Sequence, residues 1–218
     1  WYNLSEKNSP QKQNLASVTN SLVKTFDNAV GIRMNADVPI GVFLSGGIDS
    51  ALVAASMRRA SDKVESFTVG FEGVSSYYEE RPEAKNVARI LGTKHNELVI
   101  SSKDVSASLI NVFNSLDEPF ADSSAIPTFL LSQAVKNNVS VVLTGDGADE
   151  IFGGYRKYQG ELLSTYYRQI PSILRHYILE PLAKSLPDNK SNSFTNRIRI
   201  LRRFMEHAGK DSIGRHVG

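Results

Sequence analysis

At 218 residues, 41% hydrophobic and 22% charged, the chain is long enough to bury one substantial core, or one domain with an appendage. Its 25 Lys and Arg stand against 23 Asp and Glu, and the resulting net charge of +2 is too small to mark a nucleic-acid or membrane surface. Cysteine is absent, which excludes disulfides, thiolate metal sites, Cys nucleophiles and persulfide chemistry, and fits a reducing, cytoplasmic setting.

After a polar lead-in, Leu15, Val18, Leu22, Phe26 and Ala29 recur at spacings of three and four, which predicts an amphipathic helix with one face on a core, ending before Asp37-Val38-Pro39. The apolar run Ile40 to Leu44 reads as a first strand, buried on both faces of a parallel sheet. Asp49 to Arg59 reads as a helix and Val64 to Phe71 as a second strand. Ala84, Val87, Ala88 and Leu91 fall at i, i+3, i+4 and i+7 of the next helix, and Gly92 is suited to its C-terminal turn. Asn96 to Ile100 is a third strand, Asp104 to Leu116 a helix capped by Ser102 or Asp104, and Ile126 to Val135 a helix leading into a fourth strand, VSVVLTG. Strands alternating with helices predict an α/β fold, a parallel, doubly wound sheet with helices on both faces. Beyond Gly154 no further strand is evident, and Pro171, Pro181 and Pro187 punctuate a C-terminal helical appendage. The polar stretch Ser185 to Ser193 reads as a loop or linker. No apolar run approaches the length of a membrane span, and no signal peptide is recognisable.

Two strand-to-helix junctions carry unusual chemistry. Ser45-Gly46-Gly47-Ile48-Asp49-Ser50 puts bare backbone and two hydroxyls at a helix N-terminus, whose N–H groups and dipole favour a polyphosphate. Asp49 would repel that phosphate unless a divalent cation lay between them, which implies Mg²⁺. The second junction, Thr144-Gly145-Asp146-Gly147-Ala148-Asp149-Glu150, gathers three carboxylates whose repulsion a shared metal would relieve. Neither loop matches GxxxxGK[ST] or GxGxxG, and either one alone is as readily a structural turn.

Taken together, the loops point to a family. SGGIDS resembles the pyrophosphate-binding loop of the N-type ATP pyrophosphatases, and LTGDGADEIFGGYRKY resembles the second signature of glutamine-using asparagine synthetases. EPFADSSAIPT from Glu118 and LGTKHNE from Leu91 resemble the same family in content and order, and the likeness runs from Trp1 to about Tyr158. It implies an adenine nucleotide alpha hydrolase-like fold, with an ATP pyrophosphatase-type nucleotide-binding domain over 1–160 and a partial helical extension of the synthetase domain over 161–218.

Carried over by resemblance, Ser45, Gly46, Gly47, Asp49 and Ser50 cradle the pyrophosphate of ATP, Leu44 and Val69 flank the adenosine, and Thr144 and Gly145 approach its other side. Asp49 and Asp149 are the implied Mg²⁺ ligands. Asp146 stands where many members carry glutamate, at a position associated with acyl-adenylate chemistry, and it is the implied catalytic residue. The implied reaction activates the aspartate side chain as an acyl-AMP with release of pyrophosphate, then aminates it to asparagine with ammonia that a glutaminase domain draws from glutamine. Small molecules are the implied partners, with neither nucleic acid nor membrane, and a homodimer is one assembly left open.

Since the chain opens on Trp1-Tyr2 without methionine and lacks the glutaminase domain's N-terminal cysteine, it is expected to be a piece of a longer protein. No counterpart of the family's downstream lysine and acceptor-facing residues is found before Gly218, so the isolated chain is expected to be inactive. Two alternatives are a related synthetase with another acceptor, such as a lactam-forming or glycan-modifying enzyme, and a nucleotide-binding fragment without complete activity. An NAD synthetase shares SGGIDS, but GDGADEIFGGY argues against it, and transfer-RNA thiolation enzymes of related fold generally use catalytic cysteines. His95, His176, His207 and His216 are isolated and read as structural or surface residues. Arg197, Arg199, Arg202 and Arg203 read as one solvated helix face, and Ser45 lacks the GxSxG setting of a hydrolase nucleophile. Tyr155, Tyr158, Tyr166 and Tyr167 read as packing between the appendage and the sheet, with Tyr155 and Arg156 close enough to the second loop to line its mouth.

Overall fold

The computed structural model describes residues 14–73, 79–118, 120–185 and 193–208. The polar lead-in, residues 186–192 of the expected linker, and His216 lie outside them. Contacts gather the chain into two compact units, one holding the described residues up to Gly145 and the other those from Asp146 onward.

The first unit is the α/β part. Helix α1 (Leu15–Met34) precedes strand β1 (Ile40–Phe43), helix α2 (Ile48–Ala60), β2 (Glu65–Phe71), α3 (Arg81–Leu91), β3 (Lys94–Ile100), α4 (Ser102–Asn114), α5 (Ala125–Val135) and β4 (Val141–Leu143). All pairings are parallel and the strand order is β3-β2-β1-β4. The pleat sends alternate side chains to opposite faces: Val42 joins Val30, Val53, Ala54, Met57, Ala84 and Ala88 under α1, α2 and α3, whereas Phe43 packs with Phe67, Leu131 and Val135 under α5. The sheet is therefore covered on both faces, as the continuous apolar runs anticipate.

Local sequence explains how most elements end. Gly92 adopts the left-handed conformation, with φ of 68°, and its N–H donates to the Ala88 carbonyl, closing α3. The cap of α4 differs from the expectation. It is Ser101, whose hydroxyl accepts from the Asp104 N–H while the Asp104 carboxylate accepts from the Ser101 N–H, so Asp104 completes a capping box instead of acting as the cap. The expected core-facing stripe of α1 is buried only toward its C-terminal half. Val30 is buried with Phe26 and Met34 against it, but Leu15, Val18 and Leu22 are exposed. Asp27 fixes that half to α2 by accepting from Ser56 and Arg59, which holds its carboxyl below the usual range.

One polar cluster lies inside the β2–β3 pair. Ser66 is fully buried, and its hydroxyl is shared with Thr93 at 2.7 Å and with His95 Nδ1 at 2.9 Å; His95 Nε2 is buried with no partner among the described residues. Burial pushes the imidazole below its ordinary value, opposed by Glu97 and reinforced by Lys85. A histidine held neutral in the fold takes up its proton more readily when unfolded. Stability is therefore expected to be full above the ordinary value of 6.5 and to fall as the pH drops through it, levelling off below the folded-state value. Urea midpoints between about pH 8 and about pH 5 check this, and His95→Gln should flatten the slope.

The second unit is helical among its described residues, as expected beyond Gly154. It comprises α6 (Ala148–Phe152), α7 (Arg156–Tyr167), α8 (Ser172–Leu174), a π-helical turn (Arg175–Leu179), α9 (Glu180–Ser185) and α10 (Ser193–His207). Tyr167 is buried edge-on to Phe204, with the Arg175 guanidinium over its ring, so it packs within the helical unit, whereas Tyr158 and Tyr166 are exposed, against the expected packing. Of the arginine group on α10, Arg197 and Arg203 are exposed, whereas Arg199 donates to Asn196. Among the described residues no helix is long and apolar enough to cross a membrane.

Candidate active site

The strand order locates a site before any side chain is considered. From β1 the chain winds outward through β2 and β3, then returns to place β4 on the other side of β1. Neighbouring connections diverge at such a reversal, and they leave a crevice beyond the carboxyl ends of the two strands. The loops after β1 and β4 are the two singled out by their glycines and carboxylates.

In the first loop the two serines hold the turn together. Ser50, 7% exposed, accepts at Oγ from the Ser45 N–H at 3.1 Å, and the two hydroxyls are 2.9 Å apart. The Gly47 N–H donates to Ser45 Oγ at 3.1 Å. Either hydroxyl can donate to the other, and the Ser50 hydroxyl also reaches the Ser45 and Gly47 carbonyls at 3.5 and 3.4 Å. Gly47 is the N-cap of α2, and no side chain caps it. The N–H groups of the first turn and the positive end of the helix dipole are thus offered to an anion. Asp49 lies in that same turn, half-buried.

The turn after β4 meets this loop directly. A β-carbon built on Gly145 would stand 2.6 Å from Ser50 N, 2.9 Å from Asp49 C and 3.0 Å from Asp49 Cβ, so only glycine lets the two turns approach so closely. Thr144 precedes it, exposed. Val69 is half-buried on β2 among the residues under α5, and Leu44 is 2% exposed within the other core cluster. The structure thus brings Ser45, Gly46, Gly47, Asp49, Ser50, Thr144 and Gly145 to one sheet end, and turns the Leu44 side chain into the core.

Asp146 and Asp149 belong to the second unit. Gly147 has φ of 85° and opens α6; Gly153, with φ of 68°, closes it and donates to the Asp149 carbonyl. Gly154 packs directly against the Asp149 carboxylate. Glu150 accepts from the Tyr155 hydroxyl at 2.5 Å, which lowers the carboxyl and pushes the phenol up to about 12. Lys157 lies 4.8 Å from the centre of the Tyr155 ring. Among the described residues no group of three or more His, Asp or Glu could hold a metal unaided. Mg²⁺ is ordinarily held by one or two carboxylates together with substrate phosphates, and a carboxylate in the turn that offers N–H groups to an anion suits that donor set.

The sequence reading missed the close approach of Gly145 to Ser50, the Tyr155–Glu150 hydrogen bond, and the contacts of the first turn of α3. There Arg81 donates to both oxygens of Glu79, at 2.7 and 2.6 Å, with its stem over Gly70, and the Glu83 stem lies against Gly46. Pro82 near the start of α3 marks that turn in the sequence, but no local signal says which loop it touches.

Comparison with known proteins identifies the family. The asparagine synthase family model matches residues 21–215. A protein from Methanocaldococcus jannaschii bearing the name of a glutamine-hydrolysing asparagine synthetase is 41% identical over 155 residues, 70% of this chain and 29% of its own length. Asparagine synthetase [glutamine-hydrolyzing] 1 of Bacillus subtilis is 36% identical over 72% of this chain and 24% of its own length. Similarity to a solved NH3-dependent NAD synthetase from Campylobacter jejuni subsp. jejuni is loose, at 16% identity and a TM-score of 0.44, covering 88% of this chain and 96% of that one. This chain spans under a third of the length of either synthetase relative. With the family match over most of its residues and both signature loops at the carboxyl ends of adjacent strands, the chain belongs to the asparagine synthase family.

Proposed function

We propose that the chain is the nucleotide-binding part of an ATP-dependent amide-forming synthetase whose acceptor is aspartate. The observation that carries this reading is the packing of Gly145 onto Asp49 and Ser50 at the reversal of strand order, which joins the two signature loops. Ser45, Gly46, Gly47 and Ser50 would hold the pyrophosphate portion of ATP. Val69 would flank the adenosine, Leu44 would face it through backbone atoms, and Thr144 and Gly145 would stand at its other side. Asp49 and Asp149 would hold Mg²⁺, which when bound neutralises and orders the phosphate oxygens.

The chemistry asks little covalent work of the protein. The aspartate carboxylate attacks the α-phosphorus, the bond to the β-phosphate oxygen breaks, and pyrophosphate leaves; ammonia then displaces AMP from the acyl carbon to form the amide. The N–H groups of the first turn of α2 and the Ser45 hydroxyl stabilise charge on the departing pyrophosphate, and the rigid loop keeps it in line. Asp146 is placed by the reading to assist the acyl-adenylate steps. Ammonia would come from glutamine through a glutaminase domain of the longer protein, and the setting would be cytoplasmic. The division into a nucleotide-binding part over 1–160 and an extension over 161–218 belongs to the same proposal, although contacts divide the chain at 145/146. For the isolated chain the reading extends to nucleotide binding without turnover.

Calorimetry tests it. ATP is expected to bind in the presence of Mg²⁺, and Asp49→Asn and Asp149→Asn should each weaken it by about tenfold or more, with the double variant losing less than the sum. Strict additivity would separate the two carboxylates. No Mg²⁺-dependent binding at about millimolar ATP by folded protein would overturn the reading.

A further inference from the structure

The anion loop has a wall on the side away from β4. A β-carbon on Gly46 would stand 2.6 Å from Glu83 Cβ and 3.3 Å from Glu83 Cγ, with the Glu80 carbonyl at 3.7 Å. Gly46 is not among the glycines of positive φ, so its backbone torsion does not require glycine; the approach of Glu83 does. Nor is the wall free to yield. Ala84 and Ala88 seat α3 in the core, the Ala84 N–H donates to the Glu80 carbonyl at 3.0 Å, and the paired Glu79 and Arg81 lie across Gly70 at the end of β2. Glu83 itself is exposed, so its stem contributes little to the core.

We propose that Glu83 is a positioning residue for the polyphosphate. Its Cβ–Cγ stem limits how far Gly46 and Gly47 can swing from the N-terminus of α2, and so sets where the N–H groups of that turn point. The inference rests on the nucleotide reading and adds to it a second element, α3, that shapes the anion site without touching the ligand. Such a wall acts on phosphates beyond the first, so ATP should feel it more than AMP does.

The test is a steric-rescue cycle on the full chain, reading Mg²⁺-dependent ATP and AMP affinities by calorimetry and folding by urea midpoint. Gly46→Ala is expected to weaken ATP about tenfold or more and AMP by no more than about threefold. Combining it with Glu83→Gly, which vacates the space, should bring ATP affinity back to within about threefold of the unaltered chain. Glu83→Gly alone should weaken ATP by about threefold to tenfold, with the urea midpoint lowered only as far as a glycine in the first turn of a helix lowers it, and with AMP affinity changed by no more than about threefold. A double variant no better than Gly46→Ala, or equal losses of ATP and AMP affinity, overturns the proposal while leaving the nucleotide reading intact. Absence of ATP binding by the unaltered chain overturns both.

Discussion

Gly145→Ala is expected to lower the affinity for ATP and Mg²⁺ by about tenfold to a hundredfold, the penalty of a misplacement near 1 Å at a preorganised site. The added methyl would meet Ser50 N at 2.6 Å and Asp49 C at 2.9 Å. Both are backbone atoms of the first turn of α2, so no side-chain rotation relieves the overlap, and either the helix N-terminus or the turn after β4 must move. Gly31→Ala is the matched control, since nothing lies within 4 Å of its added methyl. In the interior of α1 that substitution should raise stability by about 0.5–1 kcal/mol without changing binding. Calorimetry on the folded variants decides, and an unchanged ATP affinity for Gly145→Ala would show that the two turns do not act as one site.

Leu44→Ala should cost about 2–5 kcal/mol of stability, as usual for emptying a close-packed core position. The side chain is 2% exposed among Val30, Val42, Val53 and Met57, and the Leu44 N–H donates to the Phe67 carbonyl at 2.8 Å, fixing the end of β1. The backbone bond survives the substitution, so the folded fraction should keep its ATP affinity within about threefold. A lowered urea midpoint with retained binding would support backbone contact at this residue. A large loss of affinity with an unshifted midpoint would place the side chain against the nucleotide.

Element positions were legible where the pattern is local. The 3.6-residue period of Ala84, Val87, Ala88 and Leu91 and the stop at Gly92 both reappear in α3. Ser101, Ser102 and Asp104 compete as caps within four residues, and only the formed hydrogen bonds choose among them. Periodicity marks the apolar stripe of α1 but not where its partner ends, so Leu15, Val18 and Leu22 were expected to be covered and are exposed. The run after Asn138 resembles β1 in composition, yet among the described residues β4 pairs only with β1, and Val141 is 39% exposed. At the site, glycines and carboxylates identified the two loops, while the reversal of strand order that makes them neighbours depends on pairings between distant segments. Which glycine is needed for torsion and which for close approach is equally invisible locally: Gly147 has positive φ, but Gly46 and Gly145 are required by what stands beside them.

The pairing of β1 with β4 also bears on how the chain acquires its structure. Ile40 lies opposite Val141, with about a hundred residues of chain between them, whereas β1 with β2 and β2 with β3 close much shorter loops. Entropy therefore favours the β1–β2–β3 half forming first, with β4 joining against the largest closure cost. Until it joins, one edge of β1 is unpaired and Gly145 has not met Ser50. On the nucleotide reading proposed above, binding would report completion of the sheet: a site that needs both loops would form only after the longest-range strand pairing is made, and ligand present during folding would stabilise that last step by mass action.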